Sequence, residues 1–124
     1  MDRIDLWTEV SKVDHKELSE KKTSGESSKE IRKRVERARK IQTERFGKEA
    51  LNSEMSVKQI NEFIILEKTE KELLENAARQ MDFSPRVFHK IKKIARTIAD
   101  LENSKNISST HLLEALQYRP KEII

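Results

Sequence analysis

Residues that punctuate a chain or build phosphate-binding loops are scarce in this sequence. Its 124 residues include no cysteine, two glycines and two prolines. Without cysteine there is no disulfide, no thiolate nucleophile and no cysteine zinc site, which fits a reducing compartment such as the cytoplasm. Gly25 and Gly47 stand alone, whereas a loop that cradles phosphate needs several glycines close together. No stretch approaches the roughly 18 consecutive apolar residues of a membrane span. The start, Met1-Asp2-Arg3-Ile4-Asp5, lacks the basic-then-apolar order of a signal peptide. Aromatic residues make up 5% and all apolar residues 35%, enough for one modest core and one domain.

Charge is what the chain has in excess, at 39% of residues against roughly 25% in an average domain. The net charge is only +4, because both signs are interleaved almost everywhere. That pattern describes solvated helix faces more readily than a dedicated nucleic-acid surface, which concentrates its excess on one side.

Ile4, Leu6, Thr8 and Val10 alternate with Asp5, Trp7 and Glu9, the period-two pattern of a strand. No second convincing strand follows, and an isolated strand leaves its backbone groups unpaired. The segment therefore reads as a strand whose sheet is missing, and residues 1–24 as a remnant plus linker, expected to be disordered. From residue 12 to 28 the chain is polar with a Thr23-Ser24-Gly25 turn signal. A capping box at Ser27 and Glu30 then opens a charged helix carrying Ile31, Val35, Ala38 and Gln42 along one narrow stripe. Gly47 is its expected stop, and this helix packs on one side only.

Start signals then become dense. Ser56 with Gln59 and Thr69 with Glu72 read as capping boxes, Ser84-Pro85 as a cap followed by proline, and Ser108 as the last cap. Met55, Phe83 and Ile107 are placed to staple onto Ile60, Phe88 and Leu112. The expected architecture is all-α: a charged helix over 25–47, then a small four-helix bundle over 55–119.

Candidate chemistry is sparse. His15, His89 and His111 lie far apart, with no partner at metal-ligand spacing, and read as surface residues. The serines occupy caps and turns. The helix after Ser84 is more informative. At roughly 100° per residue its Val87, Ile91, Ile94, Ile98 and Leu101 form one stripe, and Arg96 points to the opposite side. Arg86, Lys90 and Lys93 share one shoulder. An arginine held on a rigid element and aimed away from the core suits an anion, because its planar fork grips phosphate bidentately.

Six segments occur in an order that is itself informative: Asp2-Arg3-Ile4-Asp5-Leu6; Gly25-Glu26-Ser27-Ser28; Ile31-Arg32-x-Arg34-Val35; Arg45-Phe46-Gly47; Ala95-Arg96-Thr97-Ile98-Ala99-Asp100-Leu101; and Glu114 to Arg119. From Asp2 to Arg119 the chain resembles the C-terminal region of magnesium-chelatase-like AAA+ ATPases of the ComM (YifB) type. The resemblance implies that Ile4–Val10 is the last strand of an α/β nucleotide-binding core. It also implies that the charged helix is an insert and the four-helix unit a lid. On the family pattern Arg96 matches a sensor-2 arginine touching nucleotide phosphates, and Arg3 an arginine finger serving the neighbouring subunit. Arg86, Lys90 and Lys93 are possible anion- or DNA-facing residues. The implied cofactors, ATP and Mg²⁺, belong to the whole ATPase, and the implied partners are its own core and the neighbours of a homo-hexameric ring working on DNA.

Departures from the pattern are specific. Trp7 stands where the family usually has histidine, and Met81-Asp82 replaces a leucine–glycine helix stop, which strains that turn. No G-x-x-x-x-G-K-[ST] loop occurs in these residues, so by themselves they do not hydrolyse ATP by the family mechanism. A competing reading is a free-standing helical DNA-binding module. In it the short Met81-Asp82-Phe83 connection imitates a helix-turn-helix with a basic second helix.

Overall fold

The computed structural model describes Leu6 and residues 27–118. The strand expected over Ile4–Val10 and the expected disordered tail lie outside the described residues, Leu6 excepted. Among those described there are five α-helices and no strand: α1 (Ser28–Phe46), α2 (Val57–Phe63), α3 (Lys68–Met81), α4 (Pro85–Leu101) and α5 (Ser109–Gln117). A single 3₁₀ turn at Asn52–Glu54 sits between α1 and α2.

Local chemistry sets most boundaries. The Ser27 hydroxyl accepts from the Glu30 N–H, Ser56 and Gln59 cap each other, and Ser84 accepts from the Val87 N–H ahead of Pro85. Gly47 ends α1 in the left-handed region at φ 67°. Asp82 ends α3 at φ 50°, so the residue replacing the expected glycine does adopt the conformation glycine would favour. One boundary differs from the sequence reading. Helix α3 starts at Lys68 with Glu67 as its cap, so Thr69 lies inside the helix rather than opening it. Glu67 makes no side-chain cap bond; the Glu70 carboxylate instead accepts from the Ser109 hydroxyl, tying the first turn of α3 to the start of α5.

Helix α4 is the central element, packed against α5, α1, α2 and the 3₁₀ turn, while α3 packs on α5. The core comprises Ile60, Leu74, Val87, Ile91, Ala95, Ile98, Ala99, Leu112 and Ala115, with Met55, Ile64 and Ile107 closing it. The alanines allow close approach of α4 and α5. The apolar side of α4 is turned from its expected position: Ala95 and Ala99 are fully buried, whereas Ile94 and Leu101 are only half-buried.

Helix α1 has two halves. Ala38 and Gln42 are buried near its C-terminal end, and Phe46 meets Phe63 edge-on at 5.3 Å. Ile31 and Val35, expected on the same buried stripe, are exposed.

His111 departs from the surface position that its isolation in the sequence predicts. It is buried, because it occupies the third position of α5 and takes the place of glutamate in the capping box. Its Nδ1 accepts from the Ser108 N–H at 2.9 Å, and its Nε2 pairs with Glu102.

Candidate functional site

The side of α4 opposite its apolar face is not open. Helix α1 covers it, and Arg96 is 6% exposed there instead of pointing into solvent. A helical wheel gives a direction relative to the apolar stripe. What packs on the polar face is a tertiary fact, and here it is α1 with the loop after α4. Arg96 Nε donates to Asp100 Oδ1 at 3.2 Å, Nη1 to the Lys105 carbonyl at 3.0 Å and Nη2 to the Ser104 carbonyl at 2.7 Å. Burial lowers the Arg96 pKa from its ordinary value; Asp100 opposes that shift and Arg45 adds to it.

Asp100 is the hub. Arg45 reaches it from α1 with both ends of its fork, at 2.7 and 2.9 Å. Asn52 donates to the same carboxylate at 2.9 Å and to Thr97 Oγ1 at 3.1 Å. The Asn52 backbone N–H in turn donates to Gln42 Oε1 at 2.9 Å. Four donors thus meet one buried carboxylate, which is how a buried charge is made tolerable. Arg37 adds a bond from α1 to the Leu101 carbonyl at 3.0 Å, where the last turn of α4 lacks intrahelical partners. Gln42, Arg45, Asn52 and Asp100 were not singled out from the sequence as site residues. The signal available was the pair of short motifs, Arg45-Phe46-Gly47 and the stretch from Ala95 to Leu101, which this network joins.

The open feature is a groove on another side of α4, with a volume of about 750 Å³. Arg86, His89, Lys90 and Lys93 line its start along α4; Thr97 and Leu101 continue the same row. Ile94, Ile98, Met55, Val57 and Ile60 supply apolar lining, and Leu6 also lies against it. The groove is thus cationic towards the N-terminal end of α4 and apolar towards its C-terminal end. Lys93 Nζ donates to the Ser53 carbonyl at 3.1 Å, anchoring the 3₁₀ turn to the groove wall. Burial, then Lys92 and Lys93, lowers the His89 pKa below its ordinary 6.5.

The structure therefore separates the sequence candidates. It brings Arg86, Lys90 and Lys93 together on one concave surface and places Arg96 in the buried network on another side of the same helix. Arg3 lies outside the described residues. Among those described, no helix is long and apolar enough to cross a membrane.

A helical module built on a central α4, with one buried ion-pair hub and one basic groove, is the class the fold defines. The chain belongs to the family described as magnesium chelatase, subunit ChlI C-terminal, whose model matches residues 25–119. It is 38% identical over 119 residues to the competence protein ComM of Haemophilus influenzae. It is 36% identical to the YifB protein of Escherichia coli and 35% identical to that of Salmonella typhimurium. Each alignment covers 96% of this chain and 23% of the relative, so the chain spans about a quarter of the length of these proteins.

Proposed function

We propose that this module is the lid of a magnesium-chelatase-like AAA+ ATPase, and that its groove on α4 presents cations to nucleotide phosphates held by the ATPase core. The observation that carries the reading is the convergence of Arg86, Lys90 and Lys93 on one accessible groove in a chain of this family. Guanidinium and ammonium groups on a rigid helix stabilise the charge that develops on a transferring phosphoryl group. ATP and Mg²⁺ would be held by the core, with Arg3 as an arginine finger towards the neighbouring subunit of a ring. A competence protein stands among the relatives, and the resemblance to the ComM type implies DNA as the substrate of the whole motor.

Two arginines compete for the sensor role. The family pattern favours Arg96, and accessibility favours Arg86. In a full-length ATPase carrying this domain, Arg86→Ala should lower kcat for ATP while leaving the melting temperature unchanged. Arg96→Ala should lower activity and stability together. Wild-type turnover in both variants would defeat the lid reading. The helix-turn-helix alternative draws less support, because the basic residues line a concavity instead of a protruding ridge. Duplex binding by this chain with a steep salt slope would favour it.

A further inference from the structure

The mixing of charges along the chain hides an uneven balance between its elements. Helix α1 carries eight lysines and arginines against three glutamates, a net +5, whereas the whole chain carries +4. The excess positive charge therefore resides in this one helix. Two of the eight hold α1 to α4: Arg45 through Asp100, and Arg37 through the Leu101 carbonyl. Lys29, Arg32, Lys33, Arg39 and Lys40 are exposed and make no ion pair among the described residues.

At about 100° and 1.5 Å per residue, these five cations share one side of α1, opposite Ala38, within an arc of about 120° and a length of about 17 Å. Glu36 is the one carboxylate inside that strip. Five cations over that length approach the charge density of one DNA strand, a phosphate per about 3.4 Å. Residues 28–37 are all exposed, while Ala38, Gln42 and the Arg45–Asp100 pair fix the rest of the helix on α4. The cations are thus presented on a rod held firmly at one end. A protein partner needs an apolar centre, and Ile31 and Val35 are the only large apolar residues on that arm, 45% and 38% exposed. Charged residues are depleted at the centres of protein interfaces, whereas nucleic-acid interfaces are polar and strongly positive. Two aliphatic side chains are also too little apolar surface to anchor a helix in a membrane interface.

We propose that the exposed side of α1 is a sequence-independent binding surface for the phosphate backbone of duplex DNA, with Lys29, Arg32, Lys33, Arg39 and Lys40 as the phosphate contacts. Release of counterions from the phosphates supplies the affinity, and phosphates carry no sequence information. The inference deepens the DNA part of the proposed function and rests on it in that respect, giving the motor's substrate a surface on this domain. That surface is separate from the α4 groove, whose cations remain available to nucleotide.

Fluorescence anisotropy of a labelled duplex, titrated with this chain in the absence of ATP, tests the surface. Affinity should fall about a hundredfold between 50 and 200 mM salt, as engagement of about four phosphates requires, and should be equal for two unrelated sequences. Arg32→Gln, Lys33→Gln and Lys40→Gln together should reduce the salt slope by about three. Helical circular dichroism should be unchanged in that variant, because glutamine forms helix about as readily as arginine and lysine. Duplex binding by itself also fits the helix-turn-helix alternative, so the assignment turns on which cations carry it. Arg86→Gln, Lys90→Gln and Lys93→Gln together should leave most of the slope in place. Absence of duplex binding at 50 mM salt overturns the proposal. A slope that survives the α1 substitutions, or that falls only with those in α4, overturns it as well. Binding to phosphatidylserine vesicles in place of duplex assigns the arm to a membrane surface and overturns it too. None of these readouts involves ATP, so their failure leaves the nucleotide role of the α4 groove standing, and wild-type turnover in the Arg86 and Arg96 variants leaves the α1 surface standing.

Discussion

Arg45 and Asp100, fifty-five residues apart in sequence, form a bidentate ion pair that clamps the end of α1 onto α4. The carboxylate is fully buried, and the guanidinium is nearly so. Removing one partner of such a pair leaves an uncompensated charge, at a cost of about 3–5 kcal/mol. Asp100→Ala should therefore come close to unfolding the domain in urea titrations. A double-mutant cycle with Arg45→Met should show strong coupling, the double variant being more stable than Asp100→Ala alone.

Arg96 makes three hydrogen bonds within the chain, two of them to carbonyls of the loop after α4. Hydrogen bonds to charged groups contribute about 1.5–3 kcal/mol. Arg96→Ala should lower stability by about that amount or more, and Arg96→Lys should recover little, because lysine lacks the fork. Arg86→Ala should change stability by about 0.5 kcal/mol or less, as expected for an exposed position. Denaturant midpoints of the two variants check the contrast.

Two left-handed helix ends give opposite expectations. At Gly47 an added Cβ would meet nothing within 4 Å, so Gly47→Ala tests backbone strain alone and should cost about 1 kcal/mol. At Asp82, φ 50° already carries that strain. Asp82→Gly should raise stability by up to about 1 kcal/mol, less the extra entropy of an unfolded glycine. Thermal melts of both variants should move in opposite directions.

His89 has a pKa below 6.5 in the folded chain, through burial and then through Lys92 and Lys93. The unfolded state therefore binds more protons in the window between the folded value and 6.5. The stability associated with neutral His89 is complete above pH 6.5 and is lost as pH falls through the folded value. His89→Gln should flatten that part of the melting-temperature profile between neutral and mildly acidic pH. Added salt should narrow the difference by screening the two lysines.

Much of the architecture was legible because its signals are local. Ser27, Ser56, Ser84 and Ser108 mark helix starts through bonds spanning three residues, and Gly47 marks an end through its own φ. The start of α3 is less legible, because Thr69-x-x-Glu72 has the form of a cap while the helix begins earlier, at Lys68. The burial of His111 is not legible locally, because histidine is an unusual third residue for a capping box, and the box buries it.

The sequence by itself determined the all-α architecture of the described residues, the order and approximate limits of its helices, and the shared shoulder of Arg86, Lys90 and Lys93 on one of them. Those features follow from periodicity and capping within a few residues of each position. Only the tertiary structure decided which sides of α4 stay accessible. By laying α1 over the polar side it drew Arg96 into a buried network around Asp100, and by leaving Ile94 and Leu101 half-covered it opened a groove beside the cations. Both outcomes depend on contacts between residues far apart in the chain, and helix periodicity carries no information about those.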